Sequence, residues 1–178
     1  MVHSMGRRQW RTILLGLVFG LLVVAMGAIP ALAAGTLFTA SYPDEVTTPR
    51  NCPPGFPVGA FCFTGVGHGP TAPPGTTGTE NYSGFVDPNT HDPVTGCPVD
   101  HNAVSISTSG GRLFLTTTGS ACGPFDDGTW VAHGGTGIFA GATGTGHVHT
   151  DVLSPPDPVT GKIRSSSLYT GTLDLRGD

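Results

Sequence analysis

After Arg11 the sequence has no run of basic residues, and only 11% of its 178 residues carry charge. A chain that binds nucleic acid must neutralise phosphates with clustered Lys and Arg, so nucleic acid is excluded as a partner. Beyond the first segment no window repeats its apolar residues with a 3.6-residue period, which argues against a helical domain. The cysteines show no CxxC spacing, so a zinc ribbon or a thioredoxin-like redox site is unsupported. No serine sits in a G-x-S-x-G elbow. No lysine follows the glycines of Gly134–Gly146, and no helix pattern opens after them, so a phosphate-cradling loop is excluded as well.

What the sequence does contain begins with an export segment. Arg7, Arg8 and Arg11 precede an apolar run from Ile13 to Ile29, and Ala31-Leu32-Ala33 forms a small-x-small cleavage site. Residues 1–33 therefore read as a signal peptide cut after Ala33, with an uncleaved anchor as the alternative. Gly6 and a missing lysine fit a twin-arginine signal poorly. Residues 34–178 then form a single secreted domain carrying five basic against 12 acidic residues. That net negative charge also disfavours an anionic membrane surface once the signal is removed.

Cys52, Cys62, Cys97 and Cys122 all follow the cleavage site, and an even count in an exported chain reads as two disulfides. Three connectivities are open, and the sequence-local pairing Cys52–Cys62 with Cys97–Cys122 is favoured.

Short runs rich in Val, Thr, Phe, Tyr and Ile, separated by turn residues, predict an all-β domain. The expected strands are Thr36–Tyr42, Ala60–His68, Thr77–Val86, Asn102–Ser109, Arg112–Thr118, Thr129–His133, Ile138–Asp151 and Arg164–Leu175. Ser109-Gly110-Gly111-Arg112 predicts a hairpin with a primed turn on its paired glycines. Asn51–Pro57 and His68–Pro74 are too proline-rich for strand interiors. Eight strands in a domain of this size predict a closed antiparallel β-barrel, with a two-sheet β-sandwich as the alternative.

The string His133-Gly134-Gly135-Thr136-Gly137-Ile138-Phe139-Ala140-Gly141-Ala142-Thr143-Gly144 resembles the GGTG-x-F-x-x-A-x-G signature of the allene oxide cyclase-like barrel superfamily, to which dirigent-like proteins belong. Leu168–Leu173 is similar to its closing strand, and Val58–Gly65 to an early strand of secreted bacterial members. The resemblance implies an eight-stranded barrel with an apolar interior that holds or cyclises unsaturated molecules by confinement. It implies no cofactor. It also implies an interior carboxylate, and Glu80, with Tyr82 two residues on, is the strand position where an inward acid fits; an outward, solvated glutamate is the commoner arrangement.

His147 and His149 share a strand face that Asp151 continues, and with His133 they could ligate a metal, although two solvated histidines is the plainer reading. On that plainer reading Val148, Thr150 and Val152 belong to the interior. His68, His91 and His101 look like loop histidines, Asp126-Asp127 like a turn, and Ser165-Ser166-Ser167 like strand surface. Asp87 and Asp157 open turns whose oxygens could hold calcium weakly. The resulting expectation is a secreted barrel that binds or orients a small hydrophobic or aromatic molecule. An isomerase or cyclase and an extracellular structural or partner-binding domain are the alternatives, and the oligomeric state is open.

Overall fold

The computed structural model describes residues 35–47 and 50–175, so the expected signal peptide and its cleavage site lie outside the described residues. Nine strands form one antiparallel sheet: β1 (Thr36–Thr47), β2 (Arg50–Asn51), β3 (Phe61–Ala72), β4 (Thr76–His91), β5 (Pro98–Thr108), β6 (Gly111–Ala121), β7 (Phe125–Gly135), β8 (Thr143–Val152) and β9 (Lys162–Asp174). Strand β1 pairs with β9 on one side and with β3 on the other, which closes β1 and β3–β9 into an eight-stranded ring. The short β2 lies outside the ring on β3. The sandwich alternative is thereby overturned, since closure leaves no pair of facing open sheets.

All eight expected strands are present, most of them longer than read. One begins later than expected: Ile138-Phe139 belong to a 3-10 turn (Gly137–Phe139) and β8 starts at Thr143. Gly137 and Gly141 have φ of 62° and 68°, and that left-handed backbone cannot extend as a strand. Another strand runs through a segment judged too rich in proline. Pro70 lies inside β3, and Pro43 inside β1, where the β1–β3 pairing is interrupted between Ala40/Thr71 and Asp44/Gly67. A missing N–H costs nothing where no ladder bond is made. The Ser109-Gly110 hairpin forms, but only Gly111 has a positive φ, so the turn is not of the primed type. His68, His91 and His101, read as loop residues, all sit on strands.

The barrel has two unlike halves. At the lower end, where β1 begins and β9 finishes, Phe38, Ile106, Leu113, Trp130, Phe139 and Leu173 fill the interior and are almost wholly buried. Trp130 sets this packing. Its ring stands edge-on to Phe38 at 5.3 Å, its Nε1 donates to the Thr170 carbonyl at 3.1 Å, and Cβ atoms on Gly146 or Gly171 would strike it. The 3-10 turn swings Phe139 beneath this layer as a floor.

The upper end carries the loops around residues 52–60, 92–97, 122–124 and 153–161, together with both disulfides, Cys52–Cys62 and Cys97–Cys122. The second ties the β4–β5 loop to the β6–β7 loop. The pentapeptide Asp-Pro-Val-Thr-Gly occurs twice here, at 92–96 and 157–161. In each copy the aspartate carboxylate accepts from the backbone N–H groups two and three residues on, at 3.0 and 2.7 Å. Asp87 likewise accepts from Asn89 N at 2.9 Å, so these carboxylates hold the turns.

A half-empty barrel needs its rim held by covalent links rather than by core. Replacing Cys97 and Cys122 by serine is expected to lower the unfolding free energy by about 2–4 kcal/mol in urea titrations. An unchanged midpoint would show that the rim holds without the link.

Candidate functional site

A cavity of about 260 Å³ occupies the upper half of the barrel. Its outermost lining, Gly123, Phe125 and Val152, is exposed, so it opens at the rim. Alternation along closed strands decides what faces it. Val86 and Tyr82 come from β4, Val104 and Asn102 from β5, Val148 and Thr150 from β8, and Ile163, Ser165, Ser167 and Tyr169 from β9. The interior placement of Val148, Thr150 and Val152 follows the expectation. Ser165 and Ser167 do not: they point inward and are buried at 2% and 3% exposure, while Ser166 between them takes the other face.

Two pairs of carboxyl groups stand in this interior, each straddling a glycine on the strand between them. Asp44 of β1, Gly67 of β3 and Glu80 of β4 lie opposite one another in a row. A Cβ on Gly67 would collide with Asp44 Oδ1, so the glycine leaves the room in which the two acids meet. Glu80 is completely buried, which overturns the outward, solvated arrangement. Tyr169 donates its hydroxyl to Glu80 Oε1, and Ser167 donates to Asp44 Oδ2 at 2.6 Å. Next to this pair the Tyr42 and Thr71 hydroxyls bond at 2.5 Å.

Burial, followed by the neighbouring Asp44 carboxylate, pushes Glu80 well above the usual carboxylate range. Burial raises Asp44 as well, opposed by the hydrogen bond from Ser167. Glu80 Oε2 and Asp44 Oδ1 have no other donor. A single proton held on Glu80 and shared with Asp44 satisfies both oxygens at once. Tyr169 and Tyr82 are also raised, first by burial and then by these acids, so both remain phenols.

The second pair is nearer the rim. Asp100 of β5 lies opposite Gly119 of β6, and Asp126 of β7 reaches the same spot from the far side. Their Oδ1 atoms lie 2.6 and 2.3 Å from the point that a Gly119 side chain would occupy. Asn102 Nδ2 donates to Asp100 Oδ2 at 2.5 Å and to Thr117 Oγ1 at 2.9 Å. Asp100 Oδ1 is buried with no donor. Burial and the Asp100 charge push Asp126 up to about 8. Asp126-Asp127 is therefore not a turn. Both acids lie in β7 and face opposite ways, Asp126 into the cavity and Asp127 outward.

The histidines are not brought together. His149 Nδ1 pairs with Asp127 Oδ1 at 2.6 Å on the outer face, and its Nε2 is 3.3 Å from Asp151 Oδ1. His133 bonds Thr116 Oγ1 at 2.8 Å, and it sits opposite Thr143 whereas His147 sits opposite Thr129. Four residues of strand separate those registers, about 13 Å, so three nitrogens cannot share one ion. Among the described residues no group of three or more His, Cys, Asp and Glu is arranged to hold a metal.

Reading the sequence found Glu80 and Tyr82 but missed Asp44, Asp100, Asp126 and Tyr169. Three of these lie just outside the strands as expected, beyond Tyr42, before Asn102 and before Thr129. Counting alternate positions outward from Tyr42, Asn102 and Trp130 would have placed all three acids inside.

The raised acids and the turn aspartates pull stability in opposite directions with pH. Glu80 and Asp126 hold protons in the folded state that the unfolded chain releases near pH 4. Their contribution is complete below that value and is lost as pH rises, toward about 8 for Asp126. Asp87, Asp92 and Asp157 are held below the usual range by backbone N–H groups, so their contribution is lost as pH falls. Urea midpoints are expected to peak in mildly acidic solution, about pH 4–6, and to fall toward pH 8. Asp126→Asn should remove the part of the decline that ends near pH 8. A wild-type midpoint that climbs steadily from pH 5 to 8 would contradict the protonated pairs.

Neither a protein-family model nor a curated protein sequence matches the chain.

Proposed function

We propose that this protein is a secreted barrel whose upper cavity binds or orients one small hydrophobic or aromatic molecule. The observation that carries the reading is the cavity: it is walled by Val46, Phe63, Val86, Val104, Val148 and Ile163, while the interior of the opposite half is occupied by the Trp130 cluster. A barrel serving only as a scaffold gains nothing from leaving half its interior unfilled. An apolar cavity of about 150 Å³ holds benzene, so 260 Å³ accommodates one ring with a short chain. Secretion is supported by the N-terminal segment and by two disulfides, which persist in oxidising compartments. Membership of the allene oxide cyclase-like superfamily is our reading of the Gly134–Gly144 string. The eight-stranded antiparallel ring supports it.

A second reading, an isomerase or cyclase of an unsaturated hydrophobic substrate, is favoured by one observation. Tyr169 lines the cavity, and its hydroxyl is bonded to a carboxyl that retains its proton. If the hydroxyl turns from Glu80 to an oxygen on a confined substrate, the phenol can pass its proton there and take one back from the neutral Glu80 carboxyl, which stabilises the charge that develops.

Indole titrated calorimetrically should bind the wild-type protein, and Val148→Trp, which fills the cavity, should abolish the heat while urea unfolding remains cooperative. Equal binding by both proteins would place the ligand elsewhere. On the second reading, Glu80→Gln should reduce turnover by about a hundredfold or more and leave KM unaltered. Unchanged turnover would remove Glu80 from that role.

A further inference from the structure

The cavity is one-sided in charge. Two carboxyls, Asp100 and Asp126, line it, and no Lys, Arg or His does so among the described residues. The deeper Glu80–Asp44 pair adds two more acids behind Tyr169 and Ser167. An anionic ligand entering this space would meet like charge in a low-dielectric interior, an arrangement that costs several kcal/mol per unpaired ion. A neutral ring would fill the apolar walls but leave the acid pair unanswered.

Asp100 supplies the second observation. It is 2% exposed, its Oδ2 is held by Asn102, and its Oδ1 is aimed at Asp126 across Gly119 without a donor from the protein. Asn102, itself anchored on Thr117, therefore fixes the carboxylate in place while its free oxygen faces another acceptor. A donor with positive charge is what this geometry lacks. A bare calcium ion suits it poorly, because such ions take 6–8 oxygens and the pair offers few beside apolar walls.

Resting on the ligand-binding reading, we propose that the ligand is a small hydrophobic amine, whose ring fills the apolar walls and whose ammonium group bridges the carboxylates of Asp100 and Asp126. In the empty protein one proton stands in for that ammonium. Binding the cation requires both acids to ionise, so the proton on Asp126 leaves to solvent as the amine enters. The groups facing the pair are Asn102 on β5, Thr117 on β6 and Thr150 on β8, none of which titrates. Glu80, Asp44, Tyr82 and Tyr169 lie deeper and stay protonated or shared, and Asp127 with His149 is on the outer face. Because Asp126 titrates at about 8, affinity for the amine should rise as pH climbs to that value and then level off.

The experiment is calorimetric titration of the disulfide-bonded protein with phenethylamine, 2-phenylethanol and 3-phenylpropionate, in phosphate and in Tris at pH 7. Phenethylamine should bind about tenfold or more tightly than the alcohol, the scale of a charge-assisted hydrogen bond, and the carboxylate should not bind. The amine's apparent enthalpy should differ between the buffers by the heat of close to one proton released. Asp126→Asn, a near-isosteric change at a partly exposed site, should bring the amine down to the level of the alcohol and abolish the buffer difference. If alcohol and amine bind equally well to the wild type, the ammonium assignment is overturned while the binding cavity stands. If neither they nor indole binds, the cavity reading falls with it. Calcium binding more tightly than phenethylamine would overturn the assignment in favour of an inorganic cation.

Discussion

Closure of the ring is the constraint from which the rest of this structure follows. Because β1 is bonded to β9 and to β3, alternation runs in one consistent phase around eight strands, and a side chain is either inside or outside with no edge to escape to. That phase separates Asp126 from Asp127, buries Ser165 and Ser167, and sends His147 and His149 to solvent. The one interruption in the β1–β3 ladder admits Pro43 and Pro70 at the seam.

Within the closed ring the interior is divided between two kinds of packing. Below, Trp130 and its aromatic neighbours use the missing side chains of Gly146 and Gly171 to reach native density. Above, Gly67 and Gly119 leave space of another sort, in which polar groups approach one another across a strand. The same sequence device, a glycine opposite a bulky partner, thus serves a dry core at one end and an acid pair at the other. The rim loops, with little core beneath them, are held by two disulfides and three aspartate-capped turns.

Four acids inside one small barrel form a costly arrangement unless charge is removed or matched. The inner pair solves this with a proton, a phenol and a serine, and it is closed off. The outer pair is open to the cavity and holds its proton less tightly, which leaves it free to exchange that proton for another positive group. A barrel built in this way can respond to what enters it, because the occupant changes the ionisation of its wall.

Strand content and the two disulfide pairings were readable from composition, spacing and the β-forming runs, since these depend on residues close in sequence. The strand centres were readable for the same reason: runs such as Ala103–Ser107 or Phe114–Thr117 favour a pleated surface by themselves. The strand ends were not. Asp44 follows Pro43, Asp126 precedes Asp127, and Asp100 lies two residues after Pro98, all residues that depress strand propensity, and only the neighbouring strand's ladder carries the extended backbone through them. Glu80 shows the same limit on a strand that was expected: alternation put it on Tyr82's face, but not which face was inward. The sequence by itself determined a disulfide-linked set of eight β segments. Only the tertiary structure decided that the acids of four separate strands would meet over two glycines, because that meeting depends on register around the whole ring and no local stretch of sequence contains it.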